Sequence, residues 1–188
     1  MSWEFGVEKA LEYSILEYSF AFWQWGAKTK DMPAAESNPK EIYQHLFDVV
    51  GYGFFEEKSV EGFQPYFWQA LTEQGIYGYE TAPFKQYLNT EEVYKFDWAF
   101  PIGITKTYDP IPMQKIKFFL DNMAERMVFI YGEYDAWSAT AVELADGAET
   151  RELYKFVKLK GDHTTRIKTF NEENRKKIYS IIDRWLNE

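Results

Sequence analysis

Residues 127–135 read MVFIYGEYD, an apolar run that stops at a glycine and is followed at once by two carboxylates. The run is too short and too apolar for a surface helix, so it predicts a buried parallel strand over residues 127–131. A second run, YKFVKLKG, predicts another strand over residues 154–160. Two such strands joined by a helical segment predict an α/β unit with a right-handed crossover.

Three helical patterns surround these strands. Residues 113–123 carry an amphipathic stripe, and SATAVELA predicts a short helix capped by Ser138 between the strands. The chain closes with an amphipathic helix in which Thr169 and Glu172 have the spacing of a capping box. After the helix at 113–123, the order within residues 109–188 is therefore strand, helix, strand, helix.

Residues 1–108 predict helices with aromatic faces. The first helix has a broad apolar stripe and stops at Gly26, and the second has Asn38 as cap, Pro39 at its first position and Gly51 as its stop. Further helices are predicted over residues 64–73 and 83–88, the latter with Thr81 as cap. The fold class is therefore mostly α with an α/β tail.

Composition excludes several classes of function. The chain has 188 residues, a net charge of −9 and no basic cluster, which argues against nucleic-acid binding. The sequence contains no stretch of about 18 apolar residues, so no membrane span is predicted. With no cysteine and two histidines, neither a disulfide, a metal site nor a cofactor is expected. The aromatic share of 20% indicates a packed core and a few cleft-lining rings.

An acid and a histidine follow the two predicted strands. Asp135 comes after the strand that ends at Gly132, and His163 comes directly after Gly161 and Asp162. Because ligand chemistry in open α/β sheets sits at the carboxyl ends of strands, both loops should lie at one edge. A carboxylate that binds an imidazole fixes its tautomer and stabilises its protonated form, as in nucleophilic triads. We therefore predict that Asp135 and His163 are catalytic and in contact.

The other polar residues nearby have ordinary interpretations. Glu133 is closer to the strand than Asp135 and should point along the pleat. Asp162 is expected to hold the loop backbone, and His45 to pack within its helix.

The segments MVFIYGEYDAWSA and FVKLKGDHTTRI resemble the last third of an α/β-hydrolase. More closely, YGEYDAWSA and GDH resemble the bacterial tripeptidyl aminopeptidase family, serine peptidases that act at a free amino terminus, also described with prolyl specificity. The resemblance implies a helical cap (lid) domain at 1–108 and a carboxyl-terminal hydrolase segment at 109–188. It also implies a peptide substrate and a secreted, periplasmic or cell-envelope location, although no signal peptide is visible near Glu4 and Glu8.

The nucleophile of such an enzyme is missing. None of the seven serines lies in the G-x-S-x-G elbow of these hydrolases, and Ser138 is too close to Asp135 to serve. Truncation explains this: the chain would be the cap plus the last part of a larger serine exopeptidase, inactive alone. The alternative is a complete, non-catalytic helical binding module with a hydrolase-like tail. The coding sequence upstream of Met1 would distinguish them.

Two weaker expectations concern partners. Recognition of a peptide ammonium needs carboxylates, for which the first half offers the pairs Glu56–Glu57 and Glu91–Glu92, although such pairs more often lie on a solvated face. A two-stranded parallel sheet that has lost its neighbours exposes a strand edge. We expect that edge either to associate, for example in a homodimer, or to be covered by a rearranged cap segment.

Overall fold

The structure is a computed structural model that describes residues 6–51, 53–55, 57–89, 96–100 and 103–188. By its internal contacts the chain divides into two compact units. The first comprises Met1–Ala21 with Asp31–Ile116, and the second comprises Phe22–Lys30 with Lys117–Glu188. This division falls within a helix rather than at residue 108, and it adds an early segment to the second unit. The assignment of a cap and a hydrolase segment stays a prediction.

Helices make up most of the regular structure in the described ranges. The α-helices are α1 (Val7–Gln24), α2 (Pro39–Val50), α3 (Glu57–Gln69), α4 (Ile111–Asn122) and α5 (Glu172–Asn187), and the strands are β1 (Met127–Gly132) and β2 (Leu153–Lys158). None of the helices in the described ranges is both long and apolar enough to cross a membrane.

The caps of α2 confirm the sequence prediction. The Asn38 side chain accepts a hydrogen bond from the Lys40 backbone N–H, Pro39 stands in the first turn, and the Gly51 N–H donates to the Phe47 carbonyl. Gly51 has φ +97°, a conformation that favours glycine at a helix end.

Two predictions for the first unit were wrong in detail. Helix α3 begins at Glu57, seven residues before the predicted start, and continues beyond Gln69 as a π-helical segment. The segment predicted as a fourth helix is a 3₁₀ helix, Ala82–Tyr87, and the Thr81 side chain gives it no cap hydrogen bond. The segment is only six residues long, which is too short to sustain a regular α-helix on its own.

The core of the first unit is built from aromatic rings. Tyr13 and Phe96 are each 1% exposed, and the Tyr13 ring lies 5.6–6.2 Å from the rings of Phe55, Phe96 and Trp98. Tilted and edge-to-face pairs of this kind add to the free energy gained by burial. Much of the unusual aromatic content therefore serves packing.

A buried carboxylate lies in the same unit. Glu17 is 6% exposed, and its Oε2 accepts hydrogen bonds from the hydroxyls of Tyr77 (2.9 Å) and Tyr79 (2.6 Å). Burial raises the pKa of Glu17, and the two hydrogen bonds oppose that effect in part. Burial and the Glu17 charge raise the pKa of both tyrosines, so their hydroxyls remain donors.

The second unit contains a two-stranded parallel sheet. Strands β1 and β2 pair in register from Met127 opposite Leu153 to Gly132 opposite Lys158. Helix α5 packs its apolar face there, with Ile178 fully buried in a cluster that includes Phe156 of β2. The prediction of two adjacent parallel strands and a closing amphipathic helix is confirmed.

The connection between the strands differs from the prediction. It contains only 3₁₀ helices, Ala136–Thr140 and Ala148–Arg151, instead of an α-helix, and Asp135 rather than Ser138 is the cap of the first. Thr140 and Val142 are β-branched residues with low helix propensity, and Gly147 takes a left-handed conformation. The short connection therefore turns repeatedly and does not form a continuous helix.

The cap of α5 was also predicted wrongly. The Asn171 side chain accepts a hydrogen bond from the Asn174 N–H, whereas Thr169 ends a preceding 3₁₀ turn and bonds with the Arg166 backbone. Asparagine and threonine both serve as helix caps, and here the additional turn shifts the helix start by two residues.

Candidate active site

The loops after β1 and β2 meet at the carboxyl edge of the sheet. The backbone N–H of Tyr134 donates to the Gly161 carbonyl (2.8 Å), and the N–H of Glu133 donates to the Lys158 carbonyl (3.0 Å). At Gly132 a Cβ would lie 2.6 Å from two carbonyl oxygens of the other loop. The glycine that ends β1 therefore allows an approach that a side chain would block.

Asp135 and His163 project from these two loops and are in contact. The distance between His163 Nδ1 and Asp135 Oδ2 is 2.8 Å. The Asp135 side chain is 12% exposed and the His163 side chain 40% exposed. The predicted hydrogen bond between them is thus present, formed across 28 residues of sequence. The described part of the chain offers no hydrogen-bond partner to Nε2, the ring nitrogen that a general base uses.

Both oxygens of the Asp135 carboxylate are positioned. While Oδ2 faces the imidazole, Oδ1 accepts a hydrogen bond from the Trp137 backbone N–H (3.1 Å) at the start of the 3₁₀ helix. Asp135 is therefore held by a backbone N–H of its own loop as well as by the histidine, and it can fix the imidazole with Nδ1 protonated.

The Asp135–His163 pair lines an open cleft of about 240 Å³. The cleft is also bordered by Ile130, Tyr131, Gly132, Trp137, Ser138, Asp162, Thr165 and Arg166. Such a mixture of apolar walls with a few converging polar groups is typical of a binding site.

Two other acids stabilise the loops, one within its own loop and one between the two. Asp162 Oδ1 accepts hydrogen bonds from the Thr164 hydroxyl (2.6 Å) and backbone N–H (2.8 Å), as predicted for a loop-holding residue. The Thr164 hydroxyl is the main cause of a lowered pKa at Asp162. Glu133 Oε2 accepts a hydrogen bond from the Lys160 N–H (2.7 Å) and so links the ends of both strands.

Ser138 and His45 have local roles. The Ser138 hydroxyl donates to the Gly132 carbonyl (2.9 Å), which ties the loop back to the end of β1. His45 Nε2 lies 2.9 Å from the Tyr18 hydroxyl in the first unit, so His45 is a packing residue with a hydrogen bond.

The assignment of four glutamates as ammonium-binding carboxylates stays a prediction. Glu56, Glu91 and Glu92 lie outside the described residues. Glu57 begins α3, and its side chain is likewise outside the description. Among the described residues, no group of three or more histidine or acidic side chains is placed to hold a metal ion.

The sequence interpretation missed the end of α1. In the second unit the Gln24 carbonyl accepts a hydrogen bond from the His163 backbone N–H (2.8 Å), and the Trp25 ring lies 5.3 Å from the imidazole. More than 100 residues separate these partners, so no local pattern could have indicated the contact.

Comparison with known proteins identifies the family. The family described as PS-10 peptidase S37 matches residues 5–186. The chain belongs to this peptidase family. It is 26% identical over 180 residues to the prolyl tri/tetrapeptidyl aminopeptidase of Streptomyces mobaraensis. That alignment covers 95% of this chain and 38% of the relative, so the S37 chain spans well under half the length of the curated relative.

No solved structure is significantly similar to this S37 chain. Its mostly helical fold with a small parallel sheet therefore rests on the structure described above. The family match and the aminopeptidase relative confirm the resemblance inferred from the sequence.

Proposed function

We propose that this chain supplies the acid and the histidine of a serine peptidase with the α/β-hydrolase fold, acting on peptides from a free amino terminus. The observation that carries the proposal is the 2.8 Å contact between His163 Nδ1 and Asp135 Oδ2 at the carboxyl edge of a parallel sheet. Membership of a peptidase family and an aminopeptidase relative support it.

The proposed chemistry assigns a role to each atom of the Asp135–His163 pair. His163 Nε2 accepts the proton of a serine hydroxyl as that oxygen attacks the peptide carbonyl, and then returns the proton to the leaving amine. Asp135 keeps the imidazole oriented and stabilises its protonated form. Water then releases the acyl group by the same acid–base steps.

The serine itself is proposed to lie outside these 188 residues. No serine of the chain stands in a G-x-S-x-G elbow, and the Ser138 hydroxyl is bound to the Gly132 carbonyl. In α/β-hydrolases the serine precedes the acid and the histidine in sequence. The chain would then be the cap and carboxyl-terminal part of a longer enzyme, inactive alone and, by its family resemblance, secreted or located in the cell envelope.

The test begins with the coding sequence upstream of Met1. An in-frame segment with a G-x-S-x-G-like elbow after a strand supports the proposal, and a genuine start without one favours a complete, non-catalytic binding module. In the longer protein, Asp135→Asn and His163→Gln should each lower kcat for tripeptidyl substrates, in which the bond after the third residue is cleaved, by about four orders of magnitude. The matched control His45→Gln should stay within about threefold of the wild type, because His45 packs in the first unit. Full activity in His163→Gln would refute the proposal.

The four glutamates remain proposed substrate-binding residues. A carboxylate of Glu56, Glu57, Glu91 or Glu92 would pair with the substrate ammonium. Replacing all four by glutamine should raise KM for peptides with a free amino terminus and leave blocked peptides unaffected. Kinetics unchanged from the wild type on both kinds of peptide would exclude these residues from the site.

The free edge of β1 is a proposed association surface. In the described part of the chain β1 pairs only with β2, and Met127–Tyr131 are half-buried. In the same unit, Phe118 of α4 is 61% exposed, and Met123, directly after α4, is 63% exposed. Unpaired strand edges and exposed apolar side chains both recruit partners, and a two-fold dimer is the commonest closed arrangement.

A further inference from the structure

Residues 22–30, which include the last turn of α1 and the loop after it, belong to the second unit and contact both loops of the Asp135–His163 pair. Trp23 packs edge-to-face on Tyr134, next to Asp135, with ring centroids 5.1 Å apart. Trp25 packs edge-to-face on His163, with centroids 5.3 Å apart and an interplanar angle of 77°. The segment therefore touches each loop with one indole ring.

Backbone contacts fix this segment against the histidine loop. The His163 N–H donates to the Gln24 carbonyl (2.8 Å). Gly26 has φ +73°, and a Cβ on it would clash with Asp162 Oδ2. Asp162 cannot easily move away, because Thr164 holds its other oxygen through two hydrogen bonds. Glycine at position 26 thus permits the close approach that places Trp25 beside the imidazole.

We propose that Trp25 is a positioning residue that holds the His163 imidazole with Nδ1 on Asp135 and Nε2 toward the cleft. This inference rests on the proposed function, since it concerns the orientation of the proposed general base. The side chain of His163 is 40% exposed, and a single hydrogen bond leaves the ring able to rotate about its Cβ–Cγ bond. An aromatic wall on one side restricts that rotation and favours the orientation that Asp135 requires.

The test reads the imidazole directly in the 188-residue chain, without peptide hydrolysis. The chain has two histidines, so ¹⁵N-histidine labelling gives two ring systems, and His45→Gln assigns them. At about pH 9, above the ordinary histidine range, the ¹⁵N shifts give the share of rings protonated on Nδ1. The wild type should show mainly this tautomer at His163, because Asp135 accepts from Nδ1.

Three variants separate the possible roles. Trp25→Leu should lower the ratio of the Nδ1–H to the Nε2–H tautomer by at least about twofold, and Trp25→Phe, which keeps an aromatic ring, should restore most of it. Trp68→Leu is the matched control, since Trp68 is 45% exposed against 53% for Trp25 and lies in the first unit. It should leave the ratio unchanged.

The outcomes distinguish this inference from the proposed function. An unchanged ratio in Trp25→Leu, with a changed ratio in Asp135→Asn, overturns the role of Trp25 alone. An unchanged ratio in Asp135→Asn counts against the proposed function itself. If Trp25→Leu does not fold, the wild type decides: a nuclear Overhauser contact between the Trp25 indole and the His163 ring protons is expected, and its absence overturns the inference.

Discussion

Replacing Gly132 by alanine should separate the two loops that carry the Asp135–His163 pair. A Cβ at this position would lie 2.6 Å from the carbonyl oxygens of Gly161 and Asp162, whereas ordinary contacts begin at 3.4 Å. These neighbours are backbone atoms that cannot rotate away, so the strands or loops must shift. Such a shift would weaken the hydrogen bond from the Tyr134 N–H to the Gly161 carbonyl. We therefore expect the free energy of unfolding to fall by about 1–3 kcal/mol.

Urea unfolding of the 188-residue chain measures this loss, and the His163 ¹⁵N tautomer ratio reports whether the 2.8 Å contact with Asp135 survives. Gly62→Ala is the matched control, because Gly62 lies inside α3 and a Cβ there would meet no atom within 4 Å outside its own helix backbone. That change should stabilise the protein by about 0.5–1 kcal/mol through helix propensity. A Gly132→Ala protein with wild-type stability and an unchanged tautomer ratio would refute the close-approach argument.

Three further predictions concern the helical unit, the second core and the strand edge. Burial raises the pKa of Glu17, so the folded protein binds more protons than the unfolded chain above about pH 4.5 and loses stability as pH rises. In urea unfolding, the stability of Glu17→Gln relative to the wild type should therefore increase as pH rises from about 4 to about 7. A difference in unfolding free energy that does not change with pH would contradict this. Ile178→Ala, at a fully buried position, should cost about 2–5 kcal/mol, whereas Leu186→Ala, 78% exposed, should cost under about 0.5 kcal/mol; equal costs would contradict the packing of α5. Light scattering should show dimers or larger species of the chain, and a monomer at high concentration with the β1 edge uncovered would argue against association.

Local patterns predicted the elements that depend on nearby residues. Asn38, Pro39 and Gly51 set the limits of α2, and the apolar runs before Gly132 and Gly161 located both strands. The contact between Asp135 and His163 also followed from sequence, because parallel strands bring their carboxyl ends together.

Contacts between distant segments were not predictable in this way. The Trp25 ring contacts the His163 ring across more than 100 residues of sequence, and Glu17 meets Tyr77 and Tyr79 across about 60 residues. The caps were misassigned where several suitable residues compete: Asp135 replaced Ser138 because its carboxylate can bind the Trp137 N–H and the imidazole together.

In the proposed mechanism, the Asp135–His163 pair activates a serine that lies outside this chain. Labelling of the longer protein with a fluorophosphonate, followed by mass spectrometry, tests it most directly. We predict a label on a serine beyond the 188 residues, lost in His163→Gln and kept in His45→Gln, with the 188-residue chain unlabelled. A label on Ser138, or labelling that persists in His163→Gln, would contradict the account.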